Sequence, residues 1–292
     1  MQAVGLDLPA THAVDPREAE DEDHRALAAA ARDGAALCTI VGIDGSFSRR
    51  LGAQLAILPG GALVGSLADG CLEDQLRSDC RRIQGPLVAR YGRGSDTIDF
   101  RLPCGGGLDI LLDPRPDPAA CIQALRDLEA RRKARLALPP NPHLSYRDYL
   151  PRLRVRVIGD GPELDAMRAI GAASGIVCEL VDRSSLSLGQ RSGLAAADRW
   201  TAVVMLFHDH EWEIALIEEA IDSQAFYIGA QGGDKARQSR LGSLRRRGAS
   251  AKDLARIRSP IGVPHGSRTP QALALAVLAE ITGEYERLYT AA

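Results

Sequence analysis

Apolar positions along this chain follow two rhythms. Over residues 25–115 they come in short runs broken by Gly-Ser and Pro-Gly-Gly turns, and from Leu153 onward such runs alternate with longer amphipathic stretches. Runs bounded by turn formers read as strands, so Ala36–Ile43, Ala53–Leu58, Ala62–Leu67, Thr97–Leu102 and Leu108–Leu112 are expected strands. An Ala-rich helix over 25–33, closed by Gly34, precedes them, and Cys71–Ile83 reads as a helix among them. In the second rhythm Leu153–Ile158, Ile176–Val181, Thr201–Phe207 and Ala225–Gly229 are the strands. Pro162–Ser174, Glu211–Asp222, 234–247 and 270–288 are the helices. Strands alternating with helices argue for a parallel sheet of Rossmann type. Between the two rhythms residues 113–152 carry seven prolines around one charged helix, expected over 118–136. The expected fold class is therefore α/β. A flexible tail over 1–24 leads to a small α+β unit over 25–115, a Pro-rich helical linker over 116–152 and a Rossmann-like parallel-sheet unit over 153–292.

Composition narrows the function classes. A chain of 292 residues favours two domains. No apolar run reaches the roughly 20 residues that span a bilayer. The segment from Met1 to Asp23 has an acidic cluster and neither a basic flank nor an apolar core, which predicts no secretory signal and a cytoplasmic location. A net charge of −2 leaves no basic field to recruit nucleic acid. The run Arg245–Arg247 reads as a solvated helix end. The six cysteines (38, 71, 80, 104, 121 and 178) form no Cys-x-x-Cys pair and no zinc spacing. Outside an oxidising compartment they are thiols rather than disulfides.

Candidate chemistry gathers where strands end. Gly159-Asp-Gly161 follows the Leu153 strand, and two glycines there suit a tight turn close to a phosphate. Leu164 stands where a dinucleotide fingerprint wants a third small residue, and Asp182 lies where such a fold contacts a ribose. The turn is thus either a degraded dinucleotide site or a plain tight turn. His208-Asp209-His210 is delivered by an apolar strand to the sheet's carboxyl edge, where imidazoles can move protons or hold anions, while Asp209 can equally cap the next helix. Two imidazoles alone do not complete a metal site. Cys71 starts a helix, a position that favours the thiolate; a small core side chain is the plainer alternative. Pro103-Cys104-Gly105-Gly106-Gly107 can form an anion-binding nest or a simple glycine turn. Arg49 and Arg50 can grip phosphate bidentately, and Arg268 with the free N–H groups of the last helix can hold an anion; exposed turn arginines and a capping turn serve as well.

In order and kind these segments resemble the xanthine dehydrogenase accessory protein (XdhC/CoxI) family over about residues 30–285. The resemblance rests on Gly45-Ser46 with Arg49, Gly70-Cys71-Leu-Glu73, Cys104-Gly105-Gly106, Gly159/Gly161, Asp182, His208–His210, Tyr227–Gly229, Pro260–Gly262 and Gly266–Pro270. Ser48, Asp69 and Phe207 stand where that family has Pro, Gly and a small polar residue. The resemblance implies a molybdenum cofactor (molybdopterin) chaperone that protects the cofactor, supports its sulfuration and inserts it into an apo molybdoenzyme of the xanthine or CO dehydrogenase type. It also implies a cysteine desulfurase as partner, and a homodimer. Within it the cofactor is expected between the two units. Cys71, Glu73, Cys104, Gly105, Gly106, Arg49 and Arg50 would lie on one side, and His208, Asp209, His210, Gly159, Gly161, Asp182 and Arg268 on the other. The competing expectation is an NAD(P)- or nucleotide-dependent enzyme using Gly159, Gly161 and Asp182, with His208 or His210 as acid/base. A scaffold that keeps the fold and binds only a protein partner is a third.

Overall fold

The computed structural model describes residues 21–67, 70–95 and 105–290, with side chains placed through Leu288. The strand expected over Thr97–Leu102, together with Asp69 and Cys104, lies outside the described residues, as does the tail up to residue 20.

The first unit is a three-layer sandwich. Helix α1 (Glu22–Asp33) starts three residues earlier than the Ala-rich run suggests, because the Asp21 carboxylate caps it by accepting from the Asp23 N–H. Gly34 ends it in the left-handed conformation, at φ 65°. Strands β1 (Ala36–Asp44), β2 (Gln54–Ile57), β3 (Leu63–Gly65), β4 (Leu87–Gly92) and β5 (Gly107–Asp113) form an antiparallel sheet in the order β3-β2-β1-β5-β4. Strand β1 is buried on both faces. Leu37 packs toward α1, while Cys38 and Ile40 pack toward helix α2 (Gly70–Cys80) with its Leu72 and Leu76. Truncating one of these fully buried side chains to Ala costs about 2–5 kcal/mol.

The helix expected over 118–136 stops at Glu129 as α3 (Pro118–Glu129). Arg131, at φ 58°, turns the chain into a hairpin of β6 (Ala134–Ala137) and β7 (Tyr146–Tyr149). The alternation in Ala134-Arg-Leu-Ala137 decides this: Ala134 and Leu136 are buried against α1 and α3, and the residues after each face solvent. The proline-rich stretch is therefore packed on the first unit, with Tyr149 donating to Gln54 and Arg147 to Asp23 at 2.7 Å. Strand β4 went unread in the sequence because only its last two residues are fully buried.

The second unit is a five-stranded, all-parallel sheet in the order β12-β11-β10-β8-β9. Its strands are β8 (Arg154–Gly159), β9 (Val177–Asp182), β10 (Thr201–Leu206), β11 (Tyr227–Ala230) and β12 (Ile257–Arg258). One face is covered by α4 (Pro162–Ala173) and α8 (Pro270–Thr290). The other is covered by α5 (Glu213–Asp222) and α6 (Asp234–Arg246), with the short α7 (Ala251–Ala255) leading to β12. The central β10 is buried at every residue, as its unbroken apolar run requires in a parallel sheet. The chain leaves β8 for β9 on one side and returns through β10 on the other, so β8 and β10 flank the topological switch point. No described helix is long and apolar enough to cross a membrane.

The two units meet at the amino-terminal edge of this sheet. The Arg131 guanidinium grips Asp198 at 2.7 and 3.0 Å, and the indole N–H of Trp200 donates to the Arg131 carbonyl. The Tyr285 hydroxyl donates to the Pro151 carbonyl, and Arg50 reaches Glu286 at 3.3 Å. A cleft of about 940 Å³ opens beside these contacts, between the α1 start and Arg49–Arg50 on one side and the ends of α4 and α8 on the other.

Candidate functional site

At the carboxyl edge of the parallel sheet β8 and β10 approach so closely that a Cβ on Gly159 would lie 2.2 Å from the Leu206 carbonyl oxygen. Glycine is required there by the backbone alone. Gly161 then takes φ 82°, and Pro162 opens α4. Glu163, in the first turn, is only 8% exposed. One of its oxygens faces the Nε2 of His208 at 3.5 Å, and the other is buried without a hydrogen-bond partner among the described residues.

Beyond β10, Phe207 is buried and stacks on Trp212, which is why an aromatic ring is accommodated where a small polar residue was the family expectation. Asp209 caps a short turn of helix over His210–Trp212 by accepting from the Glu211 N–H, so the capping alternative is realised. His208 stands 71% exposed, whereas His210 turns inward with its Nδ1 3.3 Å from a Glu213 oxygen. Glu213 is fully buried. Arg240 donates to the same oxygen at 2.7–2.8 Å and also to Ser259 Oγ and the Gln231 carbonyl. Burial pushes the Glu213 pKa up, against the pull of Arg240 and His210. Its second oxygen is buried and unpartnered among the described residues, as is the side-chain oxygen of Gln231. Gly232 lets the His210 ring seat: a Cβ there would lie 3.1 Å from its Cε1.

The edge thus carries two imidazole–carboxylate pairs, His208–Glu163 and His210–Glu213, one on each side of the β10 end. A buried acceptor left open costs about 1–3 kcal/mol, so these open oxygens mark a place where a donor-bearing ligand gains affinity. Each imidazole can relay a proton between such a ligand and its carboxylate. No group of three or more metal-ligating side chains occurs among the described residues.

Other features argue against a pyrophosphate in this turn. Asp160 lies between the two glycines and is ion-paired with Arg183 at 2.7 Å, and Arg183 in turn lies over the Trp212 ring. Together with Glu163 that places two carboxylates where a dinucleotide would put its phosphates. Like charges about 4 Å apart repel by about 4 kcal/mol at an effective dielectric near 20. Asp182, expected to meet a ribose, accepts from Ser184 N–H at 2.8 Å, and that bond holds its carboxyl below the usual range.

The remaining sequence candidates are dispersed. Cys71 is exposed at the start of α2, whereas Cys38, Cys80 and Cys121 are buried and Cys178 is half-buried. Burial pushes the Cys121 and Cys178 thiols up to about 11. Glu73 accepts from Ser66 Oγ and the Leu67 N–H, so it holds the turn that leads to Cys71. Gly105 and Gly106 form the entry to β5, with the Gly106 carbonyl accepting from Arg93. Arg49 is paired with Glu22 and Arg50 with Asp23 and Glu286, so both are spoken for by carboxylates. Arg268 is exposed one residue before Thr269, whose hydroxyl caps α8 by accepting from Ala272.

Arg49 and Arg50 line the cleft between the units, beside the C-terminal end of α4. Gly161, Glu163 and His208 lie at its N-terminal end. Twelve helical residues span about 18 Å. Within one chain the structure therefore brings Gly159, Gly161, His208, Asp209 and His210 together and sets Arg49 and Arg50 at the opposite end of the unit. Sequence reasoning missed Glu163, Glu213, Arg240 and Gln231. The available signal was an acid two residues after Gly161 and another three after His210.

Residues 28–92 match the XdhC and CoxI family, and residues 155–281 match the XdhC Rossmann domain. The molybdenum cofactor insertion chaperone PaoD of Escherichia coli K12 is 30% identical over 285 residues, covering 89% of this chain and 88% of that protein. A crystal structure described as a xanthine dehydrogenase from Bacillus halodurans aligns with a TM-score of 0.70 at 16% identity, over 91% of this chain and 96% of that one. At that identity the likeness is one of fold. Family matches to both units in the same order, joined to near-full-length similarity to a relative, identify the chain as a member of the XdhC/CoxI family.

Proposed function

We propose that this protein is a molybdenum cofactor chaperone: it binds the cofactor at the carboxyl edge of the parallel sheet, shields it, supports its sulfuration and hands it to an apo-enzyme of the xanthine or CO dehydrogenase type. The observation that carries the reading is the pair of buried carboxylates, Glu163 and Glu213, each with one open oxygen beside an imidazole. The relative named as a molybdenum cofactor insertion chaperone supports the same class. Molybdopterin fits these groups, since its pterin carries ring N–H and amino donors. When bound, the cofactor supplies the molybdenum–dithiolene chemistry of the recipient enzyme.

This chain's own residues bind and release. Glu163 and Glu213 accept hydrogen bonds, and His208 and His210 line the crevice. Gly159 and Gly161 keep the backbone close, and Asp209 fixes the loop that carries the imidazoles. Asp182 shapes the rim. Cys71 is the accessible thiol for sulfur chemistry, with Cys104 as its companion, on the turn held by Glu73 and beside the glycines at 105 and 106. Arg268 is better placed than Arg49 or Arg50 to hold a phosphate, because those two are already neutralised. A homodimer would let the thiol-bearing unit of one copy face the carboxyl edge of the other. The proposed setting is the cytoplasm, with a cysteine desulfurase and the apo-enzyme as partners and neither nucleic acid nor membrane involved. Binding and hand-over, not turnover, is the activity. An NAD(P)-dependent reading gains nothing from the geometry, because Asp160 and Glu163 occupy the phosphate position.

Anaerobic mixing with isolated cofactor, followed by desalting and assay of retained pterin and molybdenum, tests the reading. Near-stoichiometric retention is expected, with loss in a Cys71→Ala/Cys104→Ala variant if the thiols engage the cofactor. Folded wild-type protein that retains neither pterin nor molybdenum would overturn it.

A further inference from the structure

The open acceptors at the carboxyl edge also carry information about which part of a ligand enters. From the buried, half-engaged Glu163 behind Gly161 we infer that this crevice reads a 2-amino-4-oxopyrimidine edge, and so takes the pterin end of the cofactor and not its phosphate end. This rests on the cofactor reading above and adds the orientation and the selecting residue.

A carboxylate whose two oxygens face adjacent N–H donors makes a pair of parallel charge-assisted hydrogen bonds. The ring N–H and the neighbouring exocyclic amino group of a pterin, or of a guanine, present that pair of donors. Glu163 offers one oxygen engaged only by a long contact from the exposed His208 and one oxygen with no partner among the described residues. No described guanidinium or ammonium pairs with Glu163, in contrast to Glu213, whose charge Arg240 offsets. A 2-oxo analogue would place a carbonyl oxygen against that carboxylate, and a phosphate would bring a second negative charge. Both are disfavoured by the same atom. The two neighbouring features agree: Asp160 leaves no room for an anion at the turn, and Gly159 fixes the depth of the crevice floor. Sites built to hydrogen-bond a donor reject the analogue lacking it far more strongly than apolar pockets reject a missing methylene.

The experiment uses the full chain and three probes: pterin, lumazine (the 2-oxo counterpart of pterin) and guanosine monophosphate. Affinities are read by fluorescence or calorimetry for wild type and for Glu163→Gln. Pterin is expected to bind at least tenfold more tightly than lumazine, and Glu163→Gln to collapse that ratio toward one. Equal affinity of wild type for pterin and lumazine would overturn the inference without any variant, and so would a ratio unchanged in Glu163→Gln. Guanosine monophosphate binding more tightly than pterin would also overturn it, by assigning the edge to a nucleotide. Whole-cofactor retention without pterin selectivity leaves the chaperone reading standing and removes this one. Failure to retain cofactor alongside pterin selectivity does the reverse.

Discussion

The two ends of the parallel sheet bury charge in opposite ways. At the amino-terminal end, Asp23 is 6% exposed and accepts from Arg50, Arg147 and the Gln54 N–H, at 2.7–3.0 Å. At the carboxyl end, Glu163 and Glu213 are as deeply buried, yet each keeps an oxygen open. Equal burial therefore means different things. A carboxylate ringed by donors holds two units together, and one left half-engaged retains binding capacity at a cost in stability. The contrast separates the cleft, which is larger, from the edge, which is chemically less satisfied.

The comparison can be broken most sharply at Asp23. Asp23→Ala leaves two buried guanidiniums without their carboxylate and is expected to cost about 3–5 kcal/mol in denaturant unfolding. A loss below about 1 kcal/mol would mean that the cleft charges are not structural. Gly159→Ala comes next. Its Cβ meets backbone at 2.2 Å, so a loss of about 1–3 kcal/mol is expected, against none for Gly60→Ala, where nothing lies within 4 Å. Asp198 supplies a pH test. Burial opposes its charge, but Arg131, Thr201 and the Trp200 N–H outweigh that and hold it at about 2. Its folded pKa lies below the ordinary carboxylate value, so its contribution is present above about pH 4 and is lost as pH falls toward 2. After allowance for its partial exposure that contribution is about 1–2 kcal/mol. The stability gap between wild type and Asp198→Asn should close over that window. Glu213 has the opposite sign: its pKa is raised, so its charge opposes folding at neutral pH and protonation relieves that. The smallest effects belong to the edge and the thiol. Glu163→Gln is expected within about 0.5 kcal/mol of wild type, because it removes a charge that no described cation pairs. Cys71→Ala is expected to leave unfolding unchanged and to abolish the fastest thiol-labelling phase among the described cysteines. A persisting fast phase would assign it to another thiol.

The parallel sheet was legible because β8, β10 and β11 are apolar runs buried on both faces, and such runs declare themselves without partners. The hairpin at 134–149 was not, since four residues of alternation compete with a strong helix former upstream. Within the site the glycines and imidazoles stood out because their types are unusual at strand ends. Glu163 and Glu213 did not, because an acid in a helix's first turn reads as a favourable match to the dipole. Only tertiary burial shows that these two also carry open acceptors. The pairing of Arg50 with Glu286 spans 236 residues and has no local signature at all.

The contact between Gly159 and the Leu206 carbonyl also sets where this protein is free to change. The crevice floor is main chain and admits no side chain, so ligand preference must be written in the walls, at Asp160, Glu163, the 207–211 loop and Gln231. Substitution at those positions alters what is held without moving the surface it rests on, so ligand preference can be re-engineered while the floor stays fixed.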